Sequence, residues 1–401
     1  MLELKVPGTV AACVTDNAAV MGKARETLEA NEETRERWGH VSHGGCLLHW
    51  LDLLFEDVVK ITFFAGVVET ARAISKYFRS HTRPADLLRK HQKLQYNGKT
   101  FEPALPGETR MGTNYIVLQF VVKSWSALQA AVTDPDWEQK EGSPRAHILN
   151  DKTHDLLLTV KDFLKPVWTA IRLADTDGAA FTPYVYPTML NMKTHMEEFN
   201  TTPRTTKRPE RVPEPARKKA VTDLKTRWEE LHHPIYSMAW QLNPATTTPT
   251  SWQDIDKEAK EDVKRLLCSF SNTPADEARA TIQLSEFRNR TGNFVEAVKW
   301  DKVAWEKGPL VWWESFGSGA TELFQVAERV FSFVPVASAS ERNWSCFGFI
   351  HSKLRARLYN DKTEKLVFLY QKYPLLRARE NPNYKEPVMF VNFEDGEEPR
   401  E

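Results

Sequence analysis

The sequence predicts an α/β chain in which a short strand–helix–strand–helix unit leads into a long, mainly helical stretch. Three observations carry this. Val10–Val14 is a continuous apolar run, the pattern of a strand covered on both faces; Thr15-Asp16-Asn17 interrupts it, and Met21, Ala24 and Leu28 then recur at helical spacing. His40–Gly45 forms a second short segment ahead of a helix that opens at Cys46 and carries Leu47, Trp50, Leu51 and Leu54, so the strand–helix order repeats. From about residue 57 to 200 the periodicity is helical, with Val67, Ala71, Ile74 and Phe78 as one stripe and Val117, Val121, Leu128 and Val132 in another region.

Thr201–Lys219 breaks the pattern. Pro203, Pro209, Pro213 and Pro215 stand among seven basic residues and two glutamates, which predicts a linker or exposed loop. Helical patterning resumes at Val221, pauses over the Thr/Pro-rich Asn243–Ser251, and returns. Near the C-terminus, Trp312-Trp313-Glu314 leads into a helix with Leu323, Val326, Ala327 and Val330. Trp344, Phe347, Ile350, Leu354 and Leu358 stripe a second helix, and a third, Glu364–Lys372, is expected to stop ahead of Pro374. The chain thus divides into an α/β segment (1–57), a helical insertion (58–200), a basic linker (201–219), the insertion continued (220–300), a C-terminal region (301–385) and an acidic tail (386–401).

With 54 basic and 54 acidic residues the net charge is zero, which argues against a surface that grips nucleic acid all over. No run of eighteen apolar residues suggests a membrane span, no secretory leader pattern opens the chain, and four scattered cysteines do not read as a disulfide framework. No small-molecule substrate is suggested.

Two blocks together resemble the hAT superfamily of transposases, in the branch with a middle region of unknown function (DUF659). The first is Val14-Thr15-Asp16-Asn17-Ala18-Ala19-Val20-Met21 followed by Cys46-Leu47-Leu48-His49. The second is Trp312-Trp313, then Ser338-Ala339-Ser340-Glu341-Arg342-Asn343-Trp344-Ser345, with Arg355–Leu358 downstream. Thr109-Arg110-Met111-Gly112 is similar to a third block, with methionine where the family usually has tryptophan.

The resemblance implies an incomplete ribonuclease-H-like core interrupted by the helical insertion and completed by a C-terminal dimerisation region. It also implies an Asp–Asp–Glu site in which carboxylates hold two Mg²⁺ ions for phosphodiester chemistry. Asp16 matches the second acidic position and Glu341 the third, both as metal ligands. Local sequence offers each a plain alternative: Asp16 suits a helix N-cap, and Ser338-Ala339-Ser340-Glu341 is a capping box. The first aspartate is expected to be missing from this chain, because only fifteen residues precede Asp16 and Glu3 is their one acidic residue. On that expectation the chain reads as a non-enzyme as it stands, a transposase remnant; an active transposase fragment and a domesticated interaction protein are the alternatives.

Cys46 and His49, three apart on one predicted helix, match a pair that the family uses to brace its active site, with Arg342 beside it. As a zinc site they supply half a ligand set, and Asp52 and Asp57 read as solvated or capping residues. The expected partner is a second copy, through Trp312, Trp313, Trp344 and Phe347. DNA is a second candidate, through Arg342, Lys353, Arg355 and Arg357, which lie mostly off the apolar stripe. Lys207-Arg208-Pro209 with Arg217-Lys218-Lys219 resembles a bipartite import signal and predicts a nuclear location.

Overall fold

The structure is a computed structural model that describes residues 12–30, 42–105, 112–175, 181–199, 211–246, 256–337, 346–351 and 358–379. Glu341, Arg342, Trp344, Lys353, Arg355 and Arg357, and the acidic tail, lie outside these residues.

The class is α/β with helices dominating. Strand β1 (Ala12–Thr15) pairs in parallel with β2 (Ser42–Gly45) in the register Ala12↔Ser42 through Thr15↔Gly45. Helix Ala19–Ala30 follows β1 and helix Leu47–Lys60 follows β2, as the alternating pattern predicts. Two parallel strands joined through a helix form a βαβ unit. A ribonuclease-H-like core implies a larger sheet, and among the described residues these two strands are the sheet.

The chain forms two compact units. One contains Met1–Leu48, Ala174–Pro187 and Leu231–Glu401; the other contains His49–Leu173 and Thr188–Glu230. Residues 231–300, expected to continue the insertion, therefore fold with the C-terminal region.

The second unit is helical. In helix Thr62–Ser80 the predicted stripe Val67, Ala71, Ile74 and Phe78 is buried, and Phe64 stacks on Phe163 at 4.8 Å. Val117 and Val121 sit on helix Thr113–Lys123, Leu128 and Val132 on helix Trp125–Thr133, with a 60° bend between the two. Among the described residues no single helix is long and apolar enough to cross a membrane.

Gly112, of the third motif block, has φ +65 and heads helix Thr113–Lys123. Its N–H donates to Asp52 Oδ1 at 3.0 Å, and a Cβ there would lie 2.8 Å from the Trp168 ring. Only glycine meets both demands. Asp52 and Asp57 are thus not simply solvated. Burial pushes the Asp52 carboxyl above the usual range despite the Gly112 bond, and Asp57 pairs with Arg227 at 2.8 Å.

Other boundaries shift for local reasons. The second half of the expected linker is helical: Glu214–Leu231 is one helix, with Pro213 just ahead of it and Pro215 in its first turn. Proline is tolerated there because first-turn amides have no helical acceptor. Within that helix Arg217 donates to the Glu197 carbonyl, Lys218 pairs with Glu214 at 2.6 Å, and Lys219 pairs with Asp223. Half of the import-like signal is therefore folded into a helix. The last helix runs Asn360–Arg379 and continues past Pro374, where a stop was expected. The stripe from Trp344 to Leu358 is helical over 346–350, and Leu358 lies outside any helix.

Candidate functional site

Asp16 stands at the carboxyl end of β1, where the parallel pair gives way to a helix. This is the usual location of site residues in open α/β sheets. Its carboxylate accepts the Ala18 N–H at 3.2 Å, a turn two residues long rather than a helix cap, and the residue is exposed. Arg25, one and a half turns into the following helix, donates to the Thr15 hydroxyl and, at 3.0 Å, to the Asp16 carbonyl.

Asn17 carries the turn inward. Its Nδ2 donates to the Cys46 carbonyl at 2.8 Å. The Cys46 Sγ in turn accepts the Ala337 N–H at 3.3 Å, and the Leu47 N–H donates to the Pro335 carbonyl at 2.8 Å. Residues 335–337 lead directly into the Ser338–Ser345 block. The Asn17 turn and residues 335–337, far apart in sequence, thus meet at Cys46, which is fully buried. Cys46 braces the β1–helix turn against the lead-in to Glu341 by hydrogen bonding. His49, partly exposed, lies in the other compact unit, near Asp52.

Sequence reasoning missed the two glycines that permit this approach. A Cβ on Gly45 would lie 2.2 Å from Asn17 Oδ1, and one on Gly44 would lie 2.7 Å from the Phe333 ring. Glycine inside a strand is a recognisable sign of close approach, so the signal was present in Ser42-His43-Gly44-Gly45.

Phe333 is fully buried. It stacks on His233 at 5.4 Å and meets Tyr236 edge-on at 5.8 Å, while its carbonyl accepts the Thr182 hydroxyl at 2.6 Å. His233 also caps helix Pro234–Gln241, accepting the Ile235 N–H on Nδ1. Burial, together with His232, His43 and Arg265, lowers the His233 pKa to about 4 against the pull of Asp262. The unfolded imidazole titrates near 6.5. The folded state therefore resists a proton that the unfolded state accepts, so stability is fully present above about pH 6.5 and declines as pH falls towards 4. His233→Asn, which keeps a capping acceptor, is expected to flatten that decline. Urea unfolding at pH 7 and 4.5 should show the parent losing about 2–3 kcal/mol more than the variant; equal losses would remove His233 as the cause.

The tryptophans predicted for dimerisation have a different setting. Trp312 and Trp313, on helix Pro309–Phe316, are fully buried. Phe287 lies 5.6 Å from Trp312 and 4.9 Å from Trp313, and Phe294 stacks on Trp312 at 6.1 Å. Trp312 Nε1 donates to the Lys299 carbonyl at 2.6 Å and Trp313 Nε1 to the Leu242 carbonyl at 2.9 Å, so each indole is satisfied internally. These rings form an intramolecular core; they are not a free contact surface. Phe347 is half-buried in the short 346–350 helix.

Of the two carboxylates assigned to Mg²⁺, Asp16 alone lies among the described residues. Its Oδ1 accepts the Ala18 amide, and the Arg25 guanidinium bonds the Thr15 hydroxyl and the Asp16 carbonyl in the same turn. Among the described residues no cluster of three or more His, Cys, Asp or Glu could hold a metal ion.

Residues 293–373 match the hAT family C-terminal dimerisation region. That segment is similar to the part of hAT-family proteins through which copies associate. A search of curated proteins returned no match.

Proposed function

We propose that this chain is a transposase-derived protein that acts by self-association and does not itself cut DNA. The observation that carries the reading is the matched dimerisation segment, which folds around the buried Trp312–Trp313 core. Support for the absence of cleavage comes from the Asp16 turn, where one carboxylate oxygen accepts the Ala18 amide and the positive Arg25 guanidinium bonds the Asp16 carbonyl, a setting that disfavours a nearby cation. The convergence of the Asp16 turn and the lead-in to Glu341 on Cys46 favours a second reading, descent from a two-metal ribonuclease-H-like nuclease with residual activity.

Two differently tagged full-length copies, co-expressed, are expected to co-purify. The same preparation is expected to leave a DNA duplex uncut in Mg²⁺ or Mn²⁺. Cleavage that disappears in Asp16→Asn would establish the nuclease reading, and failure to co-purify would remove self-association.

A further inference from the structure

Among the described residues of the matched segment lies a contiguous apolar surface that the chain leaves exposed. On helix Asn360–Arg379, Leu366, Leu369, Tyr370 and Tyr373 follow spacings of three, one and three, which places them on one face. Phe349 and Ile350 of the short 346–350 helix complete a groove with them, the Phe349 and Tyr370 rings lying 5.8 Å apart. Phe349 is 67%, Leu369 56% and Tyr373 60% exposed, whereas Thr363 and Val367 of the same helix are buried. Leu376 extends the stripe and is also exposed.

Isolated apolar side chains on a surface need no explanation, but a contiguous aromatic groove does. All six groove residues fall inside 293–373. The other large aromatic cluster of that segment, around Trp312 and Trp313, is sealed within the chain and cannot meet a partner without unfolding. We propose that the groove formed by Phe349, Ile350, Leu366, Leu369, Tyr370 and Tyr373 seats the same groove of a second copy. This rests on the self-association reading and assigns it a surface.

Two features shape the contact. A two-fold dimer needs a self-complementary patch, and leucine and tyrosine side chains satisfy each other without charge pairing. Lys362 and Arg377 lie at the two ends of the stripe and are exposed. Antiparallel copies aligned end to end would bring these like charges together, which favours a crossed arrangement of the two helices.

The test compares the full-length parent with Leu369→Glu and Tyr373→Glu by light scattering across 1–100 µM. Both positions are exposed, so circular dichroism should be unchanged. Each substitution is expected to raise the dimer Kd about 30-fold or more, the effect of removing a central contact. Tyr373→Cys in the full chain should form a disulfide between copies under mild oxidation. A parent dimer that both glutamate variants retain, with no inter-copy disulfide, overturns the groove while leaving self-association standing. A parent that stays monomeric throughout overturns both.

Discussion

Trp313→Ala is expected to lower the unfolding free energy by about 3–5 kcal/mol, the range for emptying a fully buried indole site. Trp313 has no exposed surface, packs 4.9 Å from Phe287 and 5.2 Å from Trp312, and holds the Leu242 carbonyl through its Nε1. Truncation therefore opens a cavity and leaves a buried acceptor without its donor, two losses that add. Gly317 packs directly against the ring: a Cβ there would lie 2.4 Å from it. Against a total stability of about 5–15 kcal/mol the loss is large. Urea unfolding followed by near-ultraviolet circular dichroism, at one fixed protein concentration, measures it. Trp313→Phe should recover part of the packing but not the hydrogen bond. A loss below about 1 kcal/mol for the alanine variant would mean the indole is not part of a sealed core.

Asp262→Ala is the second large effect, expected at about 2–3 kcal/mol because it strips a buried hydroxyl and an imidazole of their shared acceptor. The Asp262 side chain is almost fully buried. It accepts the Ser237 hydroxyl at 2.6 Å and lies 3.0 Å from His232 Nε2. Burial opposes its ionisation, yet the His232 and Ser237 bonds hold its carboxyl below the usual range. A depressed carboxyl stabilises the fold at neutral pH, and that contribution is lost as acid protonates it. A double-mutant cycle with His232→Ala isolates the pair. A coupling of about 1 kcal/mol or more is expected, and strict additivity would show that the two side chains act independently.

The elements with a strong local rhythm were legible in the sequence. The βαβ start could be read because an apolar run, a polar break and a helical stripe each have one structural meaning, and the Val67–Phe78 stripe is buried as its spacing requires. Boundaries set by proline were less legible. Pro215 and Pro374 both lie within helices, the first where an amide is not needed and the second within a helix that continues past it. Contacts between distant segments were illegible, because nothing local to Asn17, Cys46 or Ala337 announces that they meet. The aromatic residues show the same limit: composition marked Trp312 and Trp313 as contact types, but periodicity cannot tell a ring facing its own chain from one facing a partner. Leu366, Leu369 and Tyr370 fall inside the expected helix Glu364–Lys372, but periodicity alone could not show that this apolar face stays exposed.

The central claim is that this chain self-associates through its C-terminal region. Sedimentation equilibrium of the full-length protein, over a concentration range spanning the micromolar, tests it most directly. The account predicts a reversible shift from one to two monomer masses, lost in Leu369→Glu; a single monomer mass at every concentration would contradict it.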